Sequence, residues 1–177
     1  MTDIELDRVL RESIRDIPDF PKPGIVFKDI TPLLRDARLF ALATEAMGKP
    51  FEEEGITHVA AIESRGFFFG APIAQRLGAG FVPIRKVGKL PYRTRSEEYA
   101  LEYGVDRLEV HEDAVGAGHR ILVVDDVLAT GGTARAACRL MERLGAEVVG
   151  CTFLVALSFL PGLEAIADRR STSLLVY

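Results

Sequence analysis

The chain has 177 residues, 48% hydrophobic and 27% charged, with a formal net charge of −4. That suits a single domain, 1–177, with a real core, and mixed charge of this sign supplies neither a basic field for nucleic acid nor a polybasic membrane patch. The acidic start lacks a signal-peptide core, the apolar stretch at 148–157 is too short to span a bilayer, and Cys138 and Cys151 match no metal spacing, so a cytoplasmic protein with reduced thiols is expected.

Residues 2–15 carry Ile4, Leu6, Val9, Leu10 and Ile14 at helical spacing. Pro18, Pro21, Pro23 and Gly24 then force an extended, turn-rich segment. A second helix is predicted from near Asp36, after Pro32, to before Gly55. Residues 58–62 read as a buried strand, 66–77 as a helix closed by Gly78, and 81–84 as a short apolar strand. From 85 to 104 the sequence turns polar and holds Gly88, Pro91 and Gly104. A long irregular stretch inside a compact domain is usually functional or mobile. Residues 105–110 alternate like one strand of an antiparallel ribbon. The run 120–124 is rich in β-branched residues, as expected of a strand buried on both faces. A helix at 132–144, a strand at 148–157 and an edge strand at 171–176 complete the chain. Strands alternating with helices indicate an α/β fold with a mostly parallel central sheet.

The most specific segment follows the strand at 120–124. Asp125-Asp126-Val127-Leu128 leads into Ala129-Thr130-Gly131-Gly132-Thr133 and then a helix. Open parallel sheets bind ligands at the carboxyl ends of their strands. A Thr-Gly-Gly-Thr run there offers backbone N–H groups, two hydroxyls and the positive end of a helix dipole, which together suit a phosphate dianion. The acid pair can accept hydrogen bonds from sugar hydroxyls or help organise Mg²⁺. Neither the P-loop nor the dinucleotide Gly-x-Gly-x-x-Gly pattern is present. The segment 122–133 resembles the signature with which the phosphoribosyltransferase family binds phosphoribosyl pyrophosphate (PRPP). The resemblance implies the type I fold of that family, helices flanking the sheet, and a flexible hood loop at 85–104. It also implies that Ala129, Thr130, Gly131, Gly132 and Thr133 hold the 5′-phosphate, with Asp125 and Asp126 facing the ribose hydroxyls.

Cations gather at two other strand ends. Glu63-Ser64-Arg65-Gly66 follows 58–62, and Arg85-Lys86-Val87-Gly88-Lys89 follows 81–84. A departing pyrophosphate needs such groups, because negative charge builds on its oxygens as the bond breaks. A solvated loop would use the same residue types, and it is the neighbouring phosphate loop that favours the functional reading. Ser64, Arg65, Arg85, Lys86, Lys89 and Tyr103 are therefore assigned to pyrophosphate, with Arg65 also catalytic. By resemblance, a non-proline cis peptide is expected at Ser64-Arg65.

Three segments resemble the members of the family that act on adenine. They are Asp19 to Leu34, Gly88 to Gly104, and Leu154 to Leu160. The resemblance makes 1–34 a base-binding segment and places the purine between Phe27 and Leu157. The Val26 carbonyl and the Lys28 amide can then read the amino group and N1 of adenine. A 6-oxo purine would mismatch both, and such mismatches discriminate strongly. Glu102, on the hood, is the expected acid/base residue, since attack by N9 requires loss of a purine proton. Tyr103 would exclude water when the hood shuts. Ala156 departs from the Glu that many members carry there, and Pro161 replaces a more usual polar residue.

The implied reaction joins adenine and PRPP to give AMP and pyrophosphate. Mg²⁺ would be held mainly by substrate oxygens, without a direct protein ligand, and by Asp125 and Asp126 through water at most. A homodimer is implied. The alternatives are a phosphoribosyltransferase for another base, such as hypoxanthine or xanthine, and a non-catalytic PRPP-binding regulator.

Overall fold

The computed structural model describes residues 2–100 and 105–177. The chain divides into two compact units, Met1–Ala46 and Met47–Tyr177.

The N-terminal unit opens with helix α1 (Asp3–Glu12). Thr2 and Glu5 form a capping box, each side chain receiving the other's backbone N–H. An antiparallel pair follows, β1 (Arg15–Pro18) and β2 (Val26–Asp29), in register Ile17 to Phe27. From sequence this region is expected to be extended and turn-rich, without pairing. Its charged strands show no alternation, so the pairing left no pattern to read. The connecting loop is closed by the Gly24 N–H donating to Asp19 Oδ1 at 2.7 Å. Asp19 sits at φ 57°, a conformation Asp tolerates better than most residues. Pro32 opens a short helix α2 (Thr31–Arg35) that the reading also missed. Asp36 then accepts from the Arg38 and Leu39 N–H groups and starts α3 (Ala37–Gly48) where the sequence predicts, but the helix expected to run to just before Gly55 ends at Gly48, and Pro50 lies in a 3-10 turn beyond it.

The larger unit takes in the last two residues of α3, continues with a 3-10 turn at Lys49–Phe51 and carries the seven-stranded sheet. In chain order its elements are β3 (His58–Ile62), α4 (Gly66–Leu77), β4 (Gly80–Lys86), β5 (Thr94–Ala100), β6 (Val105–His111), β7 (Arg120–Leu128), α5 (Gly132–Arg143), β8 (Glu147–Ala156), α6 (Gly162–Ala165) and β9 (Ser171–Val176). The seven strands lie in the order β5-β6-β4-β3-β7-β8-β9. Strands β4, β3, β7, β8 and β9 are mutually parallel, and β5 and β6 extend the sheet as an antiparallel ribbon. Ile121, Leu122, Val123 and Val124 are all fully buried, which accounts for their unbroken apolar run. Helix α4 packs on β3, β4 and β7, and α5 on β5 through β8. On α5 the buried residues are Ala134, Ala136, Ala137, Cys138, Leu140 and Met141, while Arg135, Arg139, Glu142 and Arg143 are exposed.

Two expectations change here. Much of 85–104 is regular: β4 runs to Lys86, and β5 pairs with β6 from Thr94 opposite His111 to Ala100 opposite Val105. The β5 sequence is charged because it forms the sheet edge, where charge blunts unwanted pairing and hides the strand pattern. In addition, β7 continues four residues past Val124, so Asp125 and Asp126 are strand residues rather than loop residues.

Candidate active site

The parallel strands β3, β4 and β7 end side by side, and each end delivers a chemically active segment. At the end of β7, Asp125 is half-buried and Asp126 is 3% exposed. The Asp126 N–H donates to Asp125 Oδ1 at 2.9 Å. Burial pushes both carboxyls above the usual aspartate range, and Asp125 further, because the charge of Asp126 adds to it. Arg65 opposes this at Asp126: its Nε lies 2.9 Å from Asp126 Oδ2. That is a charge contact rather than an aligned hydrogen bond, since this oxygen has no hydrogen-bond partner among the described residues.

Helix α4 reaches the acid pair because its first residue is glycine. A Cβ on Gly66 would lie 2.8 Å from the Val124 carbonyl oxygen and 3.0 Å from Asp125 Oδ1. The cis peptide expected at Ser64-Arg65 falls one bond earlier, at Glu63-Ser64. The chain is already turning into α4 at Ser64, whose carbonyl accepts from the Phe67 N–H at 3.2 Å, and the Arg65 carbonyl accepts from Phe68.

The loop after β7 fits a phosphate. Gly131 stands at φ 81°, a left-handed conformation that favours glycine, and no side chain caps α5. With glycine at the N-cap, the start of the helix is open to an external acceptor. A cavity of about 70 Å³ is lined by Asp125, Ala129, Thr130, Gly131 and Thr133, among others, so Asp125 and the loop share one concavity, while Asp126 is not part of its lining.

At the end of β4, the sequence reading missed the organising residue. Glu63 is 7% exposed on its side chain and accepts from Arg85 Nε at 3.1 Å, from the Lys86 N–H at 2.8 Å, and from Lys89 Nζ. Burial works against its charge, but the hydrogen bonds from Lys89, Lys86 and Arg85 outweigh it and hold the carboxyl below the usual range. Arg85 and Lys89 are thus gathered at one carboxylate. The Lys86 ammonium turns the other way and donates to Asp106 and to the Tyr99 hydroxyl on the β5–β6 ribbon. Burial would lower its pKa, yet those partners raise it. A lone acid heading Glu-Ser-Arg-Gly at a strand end was the only sequence signal for Glu63.

Leu157 follows β8 directly, half-buried, and its N–H donates to the Leu128 carbonyl at 3.0 Å. Ala156 is fully buried between Leu128 and Val176, so a carboxylate at this position would need a partner. Val26, Phe27 and Lys28 belong to β2 of the N-terminal unit. There Val26 is exposed, the Phe27 ring meets Phe20 edge-on at 5.2 Å, and Lys28 Nζ pairs with Asp16 at 2.7 Å. Glu102 and Tyr103 lie outside the described residues.

The profile of the phosphoribosyl transferase domain matches residues 30–169. An adenine phosphoribosyltransferase from Myxococcus xanthus is 56% identical over 177 residues, covering 100% of this chain and 96% of the relative. The chain belongs to the adenine phosphoribosyltransferases of this family. It is a glycosyltransferase-type enzyme. The crystal structure of an adenine phosphoribosyltransferase from Rhodothermus marinus matches with a TM-score of 0.94 at 52% identity, covering 98% of this chain and 99% of that one. One from Saccharomyces cerevisiae, complexed with an imino-altritol bisphosphate and adenine, matches at 0.91 and 38% identity, covering 97% and 99%. The mostly parallel sheet flanked by helices is therefore the fold of these enzymes.

Proposed function

We propose that this chain transfers the 5-phosphoribosyl group from PRPP to N9 of adenine, releasing AMP and pyrophosphate in a Mg²⁺-dependent step of purine salvage. The observation that carries the reading is the shared concavity at the end of β7. Asp125, suited to ribose hydroxyls, lines it together with the glycine-turned loop suited to a 5′-phosphate. Membership of a family whose relatives are adenine enzymes supports the choice of base.

In this reading Ala129, Thr130, Gly131, Gly132 and Thr133 hold the 5′-phosphate, and Asp125 and Asp126 orient the ribose. Ser64, Arg65, Arg85, Lys89 and Tyr103 receive the pyrophosphate charge as C1–O cleavage proceeds through an oxocarbenium-like state, and Lys86 joins them by leaving Asp106 and Tyr99. Glu102 exchanges the purine proton. Val26, Phe27 and Lys28 of segment 1–34, and Leu157, are assigned to the base, and 85–104 to the hood. Asp125 and Asp126 are hard oxygen donors, with Asp126 Oδ2 facing the Arg65 guanidinium at 2.9 Å and Asp125 lining the cavity beside the loop. That donor set fits Mg²⁺ approached through water, with substrate oxygens filling the remaining positions. When bound, Mg²⁺ supplies charge neutralisation on the leaving group. The enzyme acts as a cytoplasmic homodimer.

The test is initial-rate turnover with adenine, guanine, hypoxanthine or xanthine, each with PRPP and Mg²⁺. Adenine should exceed the 6-oxo purines by on the order of 10⁴-fold in kcat/KM. Failure to form AMP, or comparable rates with hypoxanthine, would sink the reading.

A further inference from the structure

The phosphate loop has a neighbour that no catalytic role explains. Helix α6 lies against it at backbone distance. A Cβ built on Gly162 would sit 2.2 Å from the Ala129 carbonyl oxygen and 3.0 Å from Leu128 Cγ. That is about 1 Å closer than ordinary van der Waals contact. From the loop side, a Cβ on Gly131 would sit 2.6 Å from the Ala165 methyl and 2.9 Å from the Gly162 carbonyl oxygen. Two glycines thus allow the approach, and the Ala165 methyl fills the space behind Gly131.

The approach is fixed at both ends of the segment. Upstream, the Leu157 N–H donates to the Leu128 carbonyl at 3.0 Å, and the Ser158 N–H and hydroxyl donate to the main-chain oxygen of Tyr177 at 2.8 and 2.7 Å. Downstream, Ile166 is fully buried. A side chain at 162 could not be relieved by an easy shift of α6, so the strain would fall on the Ala129 carbonyl. That carbonyl and the Thr130 N–H belong to one planar peptide unit. Displacing the oxygen therefore displaces an N–H of the phosphate loop.

We infer that Gly162 is a positioning residue of the donor site. Its missing side chain lets α6 hold the 129–131 backbone in the conformation that receives the 5′-phosphate. Ala165 acts with it by supporting Gly131. The inference deepens the proposed function and rests on it for the identity of the phosphate.

Calorimetric titration of the full chain with ribose 5-phosphate, and separately with inorganic pyrophosphate and Mg²⁺, separates this role from general damage. Gly162→Ala should weaken ribose 5-phosphate roughly tenfold or more, since misplacement by about 1 Å is costly, while pyrophosphate stays within about twofold. Equal loss for both ligands, or no loss for ribose 5-phosphate, overturns the inference. Ala165→Gly removes a methyl and adds no clash, so it provides the same test without an overpacked core. It should weaken ribose 5-phosphate several-fold and spare pyrophosphate, and unchanged binding overturns the role of α6. If the unmodified chain binds ribose 5-phosphate but forms no AMP, the proposed reaction fails and this inference stands. If it forms AMP and Gly162→Ala binds normally, the inference alone fails.

Discussion

Glu63 holds Arg85 and Lys89 at one buried carboxylate, and the effect of losing it follows from the direction of its pKa. Its folded value lies below the ordinary glutamate value near 4.5. Between the two values the unfolded chain binds more protons, so stability rises with pH there. The contribution is fully present above pH 4.5 and is lost as pH falls through the folded value. Glu63→Gln should therefore cost about 1–2 kcal/mol at neutral pH, discounted because Lys89 is half exposed. Its deficit should shrink in acid, as urea unfolding at a series of pH values would show. An equal deficit at all pH values would mean that packing, not charge, is what Glu63 supplies. The acid pair and the phosphate loop were legible in sequence because they are contiguous. Glu63 was not, because its partners Arg85 and Lys89 lie 22 and 26 residues away in the chain.

Element by element, legibility followed burial. Helix α4 and strand β3 match their sequence bounds, since a closing glycine marks the one and an apolar run the other; the β9 bounds match as well. Strand β5 was hidden by its charges: Glu97 pairs with Arg139 and Arg143 on α5, and Glu98 with Arg107 on β6. Those contacts are invisible to a period-2 reading of one segment. The fit of α4 on the sheet gives a prediction at this scale. A Cβ on Gly70 would lie 2.4 Å from the Ala61 methyl carbon and 3.2 Å from the Phe81 ring. Gly70→Ala should destabilise the chain by about 1–3 kcal/mol through overpacking. Gly116→Ala, where the nearest atom is 4.0 Å away, should change stability by less than about 0.5 kcal/mol. Urea midpoints for the pair would decide it, and equal midpoints would contradict the close α4–β3 packing.

For the whole molecule, net charge and chain length excluded partners but pointed to no reaction. The α/β class could be read because the parallel strands are buried on both faces, whereas the antiparallel pairing of β1 with β2 left no periodic trace. What joins the scales is the sheet edge where β3, β4 and β7 end. Arg65 meets Asp126 there, Glu63 collects cations beside it, and α6 backs the loop. The proposed chemistry requires that edge to work on both substrates at once. The most direct measurement is the yield of AMP and pyrophosphate when the purified chain is given adenine, PRPP and Mg²⁺. The account predicts one pyrophosphate for each AMP, and neither product when adenine or PRPP is omitted. Pyrophosphate released without AMP, or no conversion at all, would contradict it.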